Sequence, residues 1–459
     1  MTWNVTRDTL HRTAKLLLDS GKVRTPEEAR TYLGSMVLQV AVGRDIGGDL
    51  AAQAALLTVV NAGHRAFLGG VRVLLEDDPP LAVPWGSALT ASQAIEQFGG
   101  QVTSRLDLTR PTLAIARPTE AVGSPTLHVT HRGWVGGVVE SPDALLEGGG
   151  IAPAGIVAAA LGISEIFQRE IGDPVPGRRD VGVSLWRADL DWRAVNAVGP
   201  TLQYLPASLW LLGLGHLGQA YAWTLGMLPY TRPRDVLLGL VDYDQVVAGN
   251  TATQLLVSEN HVGQRKARVV AAALEHLGFD TIIVERAFDA NFRTDVTRYE
   301  PTIALVGFDS RNPRLLLGND RFTWVVDGGL GTGPVEYLDI VVNTFPGPED
   351  PAVAFSLGRP HATSLPSTYQ AEITSRVARG AGEDAARCGL LDIAGVTIGA
   401  AFVGTFAASL VVADLLRLLH GGEPFAVVHV DLRHPENLLA VRNARPGDPT
   451  PAYTDARNS

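Results

Sequence analysis

Blocks of apolar and polar positions along the chain predict strands that alternate with helices. Apolar runs at 209–212, 236–241 and 302–306 have the length of buried strands, and each is followed by a polar or glycine-rich loop. Longer apolar stretches at 151–163 and 393–416 have the length of buried helices. Strands that alternate with helices are typical of a parallel sheet. The pattern therefore predicts an α/β fold.

A glycine-rich loop follows the first of these strands. Gly213, Gly215 and Gly218 have the spacing Gly-x-Gly-x-x-Gly. These glycines allow a tight turn, close approach of the backbone to a phosphate and close packing of the next helix. The free amides of the loop and of the helix N-terminus would face an anion. The motif alone fits an NAD-binding turn as well as an ATP site.

Polar residues after the next two strands favour ATP. Asp242 and Asp244 follow the second strand, where an acid meets ribose hydroxyls in nucleotide-binding sheets. Asn250 and Lys266 suit triphosphate chemistry, because a compact ammonium neutralises charge between phosphates. Asp309 follows the third strand, and Mg²⁺ takes one or two carboxylates together with phosphate oxygens. This order of residues predicts a site for ATP and Mg²⁺.

Lysine usage supports the choice of Lys266. The chain has 38 lysines and arginines together, and the lysines are Lys15, Lys22 and Lys266. Positions that need only positive charge have mostly been filled by arginine, so Lys266 is predicted to be needed as a lysine. The alternative is a lysine on a solvated helix face.

Residues 201–440 resemble the ubiquitin-activating, ThiF-type superfamily of adenylating enzymes, which includes the enzymes for thiamine and molybdopterin sulfur carriers. The family usually reads Asn-x-x-Arg-Gln after its Asp-x-Asp, and here Thr253 stands in the place of the arginine. That phosphate contact must then be lost or come from elsewhere. The resemblance implies that Gly213, Gly215 and Gly218 form the phosphate loop, that Asp242 and Asp244 lie at the ATP ribose, that Asn250 and Lys266 contact phosphates and that Asp309 binds Mg²⁺.

An internal duplication predicts two Rossmann-like adenylation-type units. Residues 158–165 align with 407–414, and residues 40–48 align with the glycine loop. In the first copy Asp45 replaces the middle glycine, and no asparagine or lysine occurs in 79–100. A carboxylate at this place opposes phosphate binding, so the first unit is predicted to be degenerate and inactive. The alternative is that any two open α/β domains share glycine turns and Ala-rich helices.

These patterns divide the chain into six segments. They are a degenerate adenylation domain (1–172), a linker (173–205), an active ATP-binding domain (206–342), a crossover loop with the cysteine region (343–392), a closing helix and strand (393–445) and a disordered tail (446–459). By the resemblance, the N-terminal helix of the partner half often supplies an arginine to the ATP site. Arg7 and Arg12 are candidates, although an exposed helix face accounts for both.

Cys388 is the only cysteine of the chain, which excludes an internal disulfide and a Cys₄ zinc site. Arg387 beside it and a helix beginning soon afterwards would favour the nucleophilic thiolate. A buried, unreactive cysteine is the alternative. The resemblance matches Cys388 by region to the cysteine that accepts the acyl group in the family.

Composition excludes several other classes. A net charge of −10 argues against a nucleic-acid binder, since phosphate affinity rests on clustered Lys and Arg. The N-terminus has charges among its apolar positions, so no secretory signal is expected. Residues 393–416 are long enough to span a membrane, but their glycines and Asp414 favour a buried helix. A cytoplasmic protein that does not contact membranes is the expectation.

The resemblance implies ATP-dependent adenylation of the C-terminal carboxylate of a ubiquitin-like protein, a thioester on Cys388 and transfer to a carrier (conjugating) enzyme. The arrangement is most similar to the BilD-type activating enzymes of bacterial ubiquitin-like conjugation operons, some of which are linked to antiviral defence. A homodimer is compatible with the sequence. A sulfur-carrier or RNA-modifying adenylating enzyme, an NAD-dependent oxidoreductase and a catalytically silent scaffold stay open as alternatives, and Thr253 is the main argument for the scaffold.

Overall fold

The structure is a computed structural model that describes residues 3, 5–86, 89–119, 123–294, 300–318, 322–356, 366–380, 382–444 and 451–457. Its first sheet contains β1 (Leu38–Val42), β2 (Val71–Leu75), β3 (Gly100–Val102), β4 (Thr112–Ile115), β5 (Thr126–Arg132), β6 (Val135–Val139) and β7 (Val181–Ser184). Its second sheet contains β9 (Ser208–Leu212), β10 (Leu237–Val241), β11 (Asp280–Val284), β12 (Ile303–Val306), β13 (Trp324–Leu330), β14 (Asp339–Phe345), β15 (Phe425–Asp431) and β16 (Leu439–Arg442). A separate pair joins β8 (Tyr204–Pro206) to β17 (Tyr453–Asp455).

Helices surround both sheets. The first half contributes α1 (Arg12–Asp19), α2 (Pro26–Ser35), α3 (Leu50–Gly63), α4 (Ala91–Gln97) and α5 (Ala152–Glu170). The second half contributes α6 (His216–Gly226), α7 (Lys266–His276), α8 (Arg311–Arg314), α9 (Pro351–Ala354), α10 (Ser367–Ala378), α11 (Glu383–Ala394) and α12 (Ala401–Leu419).

The two sheets have equivalent strand orders over seven positions, and the second sheet has an eighth strand, β16, at its end. The first is β3-β2-β1-β4-β5-β6-β7, and the second is β11-β10-β9-β12-β13-β14-β15-β16. In both sheets the first five strands are parallel and the following strands are antiparallel. The predicted fold class, two Rossmann-like units in an α/β chain, is therefore confirmed. Strands β9, β10 and β12 lie within one residue of the apolar runs that predicted them.

The two halves share one hydrophobic core. Helices α5 and α12 have 19 residues each, hold equivalent places in the two units and pack against each other. Within the described part of the chain, α12 is the one helix that is long and apolar enough to cross a membrane, and 89% of its most apolar window is buried in the protein. Burial in this core accounts for the apolar sequence of α12, because each fully buried aliphatic side chain contributes about 1.5–3 kcal/mol to the free energy of folding.

The predicted bounds of the linker and of the disordered tail are wrong. The linker contains β7, which pairs with β6, so the first unit extends through Ser184. Part of the predicted disordered tail forms β17, whose Tyr453 ring packs edge-on against Tyr204. The proline- and arginine-rich composition of these segments obscured short strands that are stabilised by distant partners.

The predicted crossover loop is also more ordered than expected. It begins inside β14 and includes α9, α10 and most of α11, and Tyr369 of α10 is fully buried in the shared core. Residues 357–365 of the loop lie outside the described residues. The closing helix begins at Ala401, because Ile393 and Ala394 belong to α11.

Candidate functional site

The glycine loop joins β9 to α6 and opens towards free space. Gly213 has φ +82°, a conformation that favours glycine, and a Cβ at Gly218 would collide with the carbonyl oxygen of Gly213. Gly215 is the N-cap of α6 and provides no side-chain cap, and nothing lies within 4 Å of the place where its Cβ would be. The first amides of α6 are thus left for an anion.

The carboxylate of Asp242 braces this loop. Its Oδ2 accepts a hydrogen bond of 2.7 Å from the backbone N–H of Leu214, and its Oδ1 accepts one of 2.8 Å from the N–H of Asp244. Burial raises the pKa of Asp242, and the positive charge of Lys266 opposes that rise. Carboxylate oxygens have further lone pairs, so Asp242 is able to accept ribose hydroxyls while it holds the loop.

Lys266 is the first residue of α7 and is 8% exposed. Its Nζ lies 2.8 Å from Oδ2 of Asp244, and its backbone N–H donates to the Asp244 carbonyl oxygen at 3.0 Å. The alternative of a lysine on a solvated helix face is therefore wrong. The ammonium is held near the loop by an acid that is itself 51% exposed.

The segment that carries Asn250 is closely packed. Asn250 is buried, and its Oδ1 accepts a hydrogen bond of 3.0 Å from the Val247 N–H, which fixes a short 3₁₀ turn, Ala248–Ala252. Thr253 is also buried, and its methyl group faces Gly399. The position at which the family has an arginine thus makes an apolar contact here.

Asp309 lies beside the glycine loop at the edge of the sheet. It follows β12, which pairs with β9, and the preceding residue Phe308 packs over Gly213. Asp309 is exposed. Among the described residues no three His, Cys, Asp or Glu side chains converge on a metal position. Because Mg²⁺ bound to a nucleotide needs only one or two carboxylates, Asp309 fits a metal that arrives with ATP.

An arginine from the first half reaches this site. Arg12 begins α1 and is half-buried; burial and the charge of Arg7 lower its pKa, whereas Asp8 and Asp309 raise it. The neighbouring Thr13 donates its hydroxyl to the Gly399 carbonyl oxygen at 2.9 Å. The explanation of an exposed helix face therefore fails for both residues, because Arg7 is exposed but lies in a turn before α1, and Arg12 is on α1 but half-buried.

Two further residues of the site escaped sequence reasoning. Gln219 is fully buried on α6; its Nε2 donates to the Leu214 carbonyl oxygen at 3.1 Å and to Gln254 Oε1 at 2.8 Å. Burial lowers the pKa of His216 to about 4, so its imidazole is neutral where it packs against Gly399 and Gly404. A polar side chain in an otherwise apolar helix was the available signal for Gln219.

The corresponding place in the first half contains its own carboxylate. Asp49 caps α3 through a hydrogen bond from the Ala52 N–H at 3.0 Å, and it lies 3.3 Å from Nε2 of His131. Asp45, the residue in the place of the middle glycine, is exposed. After β4, Pro118 stands where the second half has Asp309. These features leave no free anion position at the start of α3.

Cys388 is exposed and lies on α11, which packs on α10. The expectation of a helix beginning after the cysteine is wrong, because α11 already begins at Glu383 and the thiol is in its middle. Helix α10, which packs on α11, is tied to α1 by the Tyr369 hydroxyl, which donates to Asp19 Oδ1 at 2.9 Å. The cysteine-bearing helix pair is thus attached to the same helix that carries Arg12.

Comparison with known proteins gives consistent matches over both halves. The BilD N-terminal domain family matches residues 37–185, and the BilD C-terminal domain family matches residues 205–422. The bacterial E1-like protein BilD of Collimonas sp. (strain OK412) is 37% identical over 435 residues, which are 93% of this chain and 92% of that protein. The chain belongs to the BilD family.

Among solved structures, those of E. coli MccB are similar to part of this chain. The complex with succinimide has a TM-score of 0.33 and 16% identity, and the match covers 52% of this chain and 64% of the MccB chain. The complex with ATP has a TM-score of 0.32 and 16% identity, with the same coverage of both chains. The chain thus spans slightly less than two thirds of MccB.

Proposed function

We propose that this E1-like protein uses Mg-ATP to adenylate the C-terminal carboxylate of a ubiquitin-like protein, forms a thioester on Cys388 and passes the acyl group to a carrier (conjugating) enzyme. One observation carries the proposal: the uncapped N-terminus of α6 lies near a buried lysine, Lys266, while Asp309 follows the neighbouring strand β12 and Arg12 of α1 lies within electrostatic reach of Asp309. An uncapped helix end with cations nearby is suited to a triphosphate.

In the first step a carboxylate oxygen of the ubiquitin-like protein attacks the α-phosphorus of ATP, and the bond to the β-phosphate oxygen breaks to release pyrophosphate. The amides of the glycine loop and the Lys266 ammonium stabilise the negative charge that builds up on the phosphates. Asp309 would hold Mg²⁺, which neutralises phosphate charge when it is bound with the nucleotide. Arg12 would supply the positive charge that is missing at the position of Thr253.

In the second step the Cys388 thiolate attacks the acyl carbon of the adenylate. A carbon–sulfur bond forms, and AMP leaves with the bonding electrons. Because Cys388 lies on α11 and the glycine loop precedes α6, this step needs the acyl end of the adenylate and the thiol to approach each other. The carrier thiol then takes the acyl group by the same kind of exchange.

ATP–pyrophosphate exchange in the presence of the ubiquitin-like protein tests the first step. Asp309→Ala should reduce exchange at least about 100-fold, because the metal-binding carboxylate is lost. Asp280→Ala is the matched control, since Asp280 is an exposed acid at the opposite end of the same sheet, and it should retain wild-type exchange. Equal exchange by both variants, or preference for NAD over Mg-ATP in a direct titration, would contradict the proposal.

The oligomeric state and the location in the cell stay predictions. Because the glycine loop and Arg12 belong to the same chain, we expect a monomer to bind the nucleotide and a homodimer, if it forms, to serve another purpose. Light scattering at several protein concentrations measures the oligomeric state, and cell fractionation measures the location in the cell.

A further inference from the structure

A large cavity lies between the two halves, behind the segment that carries Asn250. Thr251 and Leu255 line this cavity, whereas the side chain of Gln254 between them faces the glycine loop and Gln219. The cavity has a volume of about 1000 Å³, which is enough for a small organic molecule. It is therefore separate from the nucleotide site proposed above, although one segment forms a wall of both.

The charged side chains of the cavity are mostly basic. Arg30 and Arg457 lie exposed at its rim, and Arg65 is buried in its wall. Among the described lining residues Glu259 is the one carboxylate. The excess of positive charge favours an anionic ligand.

The guanidinium group of Arg65 is an unusual part of this positive charge, because it is buried and bonded to carbonyl oxygens. Its Nη1 donates to the Thr251 carbonyl oxygen at 2.6 Å, and its Nη2 donates to the carbonyl oxygens of Leu255 at 3.0 Å and Val257 at 3.2 Å. Its Nε donates to the Asn61 carbonyl oxygen at 3.0 Å. Within the described part of the chain no carboxylate pairs with this guanidinium. Carbonyl dipoles satisfy its N–H groups but leave its unit charge in place, which is costly for a buried ion.

Two of the three histidines that line the cavity respond to burial and to the same charges. Burial lowers the pKa of His11 to about 4, with further contributions from Arg30 and Arg65, and burial together with Arg65 lowers the pKa of His64 to about 4. Both imidazoles are consequently neutral at pH 7 and able to donate or accept hydrogen bonds.

Aromatic side chains from both halves complete the wall. Trp85 and Phe98 come from the first half and Tyr230 from the second. Trp85 is stacked on Trp223 with 5.3 Å between ring centroids, and its indole N–H donates to the Trp223 carbonyl oxygen at 2.9 Å, so its ring is held in place. A fixed aromatic surface beside guanidinium groups suits a ligand that has both a planar ring and a phosphate.

We propose that this cavity binds an organic phosphate of mononucleotide size, with its phosphate near Arg30 and Arg65 and its ring against the aromatic wall. The silent first half would then contribute a ligand site of its own. The proposal does not depend on adenylation, because binding alone tests it.

Calorimetry with uridine monophosphate tests the proposal when AMPCPP and Mg²⁺ are present in excess to occupy the nucleotide site. One molecule should bind per chain, and Arg30→Gln should weaken binding at least about tenfold, since one charged hydrogen bond is lost. Arg24→Gln is the matched control, because Arg24 is an exposed arginine near the same helix that does not line the cavity.

Phenyl phosphate, inorganic phosphate and uridine separate the two parts of the proposed ligand. Phenyl phosphate should bind more tightly than inorganic phosphate, and uridine should bind more weakly than its monophosphate. Equal binding of inorganic phosphate and uridine monophosphate would overturn the role of the aromatic wall. Absence of saturable binding, or identical affinities of the Arg30→Gln and Arg24→Gln variants, would overturn the site itself. Both arginines are exposed, so neither substitution should unfold the protein, and weaker binding by Arg30→Gln would reflect the loss of its charge.

Discussion

Lys266 occupies a position that is unfavourable for a lysine unless an anion is present. It is buried, and it begins a helix, where the macrodipole repels a cation. Asp244 offsets part of this cost through its ion pair at 2.8 Å. A triphosphate would offset more of it, because several phosphate oxygens would surround the ammonium.

We therefore expect Lys266→Arg to lower ATP–pyrophosphate exchange about 100-fold, the loss typical of removing one group that stabilises charge in the transition state. A planar guanidinium keeps the positive charge but does not replace a compact ammonium between phosphates. Lys22→Arg, the same change at an exposed lysine, should leave exchange unaltered. An unchanged rate in Lys266→Arg would remove this residue from the phosphate site.

Asp327 gives the stability of the chain a pH dependence. It is fully buried on β13, and burial raises its pKa from 3.8 to about 6, although Arg314 at 3.0 Å opposes the rise. Between these two pH values the folded chain binds more protons at this site than the unfolded chain. The contribution of Asp327 therefore becomes more favourable as the pH falls through 6.

Asp327→Asn imitates the protonated carboxyl group, so it should be more stable than the wild type at pH 7.5, by at most about 3 kcal/mol. The difference should shrink as the pH is lowered to 4.5. Urea unfolding of both proteins across this range measures it. A difference that stays constant with pH would show that Asp327 does not titrate as the structure indicates.

At the scale of elements, the starts of α3 and α6 show how one unit keeps an anion position and the other fills it. Gly215 leaves the N-terminus of α6 without a side-chain cap, whereas Asp49 places a carboxylate on the N-terminus of α3. An aspartate cap contributes about 1 kcal/mol to a helix. The first unit therefore has a stabilised helix end where the second has an open one.

Helix α1 connects the two halves at the proposed ATP site. We expect Arg12→Ala to reduce ATP–pyrophosphate exchange at least about tenfold, because a cation near Asp309 and the phosphates is removed. Arg7→Ala should have no effect on exchange, since Arg7 is exposed. Both variants lose one positive charge, so measuring them at equal ionic strength separates the effect of the position of Arg12 from the effect of net charge. Similar decreases in exchange activity in the two variants would contradict a specific role for Arg12.

The elements that sequence reasoning found are those whose pattern is local. Strands β9, β10 and β12 are continuous apolar runs, and the glycine loop and Asp309 stand directly after two of them. Strands β7 and β17 were missed because four or three residues carry little pattern and gain their stability from partners elsewhere in the chain. The roles of three polar residues were missed for the same reason, because their contacts exist only in the folded chain: Arg12, Asp49 and Gln219.

At the scale of the whole molecule, the proposed second step joins two separate regions. Cys388 lies on α11, and the pair α10–α11 is attached to α1 through Tyr369 and Asp19. Helix α1 thus contacts both the proposed ATP site and the support of the thiol. Its position should matter for both half-reactions.

Separate regions allow the half-reactions to be separated by mutation. Cys388→Ala should keep ATP–pyrophosphate exchange and lose the reductant-sensitive adduct with the ubiquitin-like protein, while Cys388→Ser should form an ester that resists thiol reductants. Gel electrophoresis with and without reductant distinguishes the adducts. Since the chain has one cysteine, a reductant-sensitive adduct in Cys388→Ala would exclude a thioester on this protein.

The contact of α1 with the second half also affects when α1 is able to dock during synthesis of the chain. The hydrogen bond from Thr13 to Gly399 spans 386 residues. At about 5–20 residues per second a ribosome needs on the order of 20 to 80 seconds to make the intervening chain. During this interval α1 has only part of its contacts with the second half, because the 3₁₀ turn Ala248–Ala252 is made long before Gly399. A nascent chain is therefore expected to lack a complete nucleotide site, and helix α1, the first to be made, is among the last to find its place.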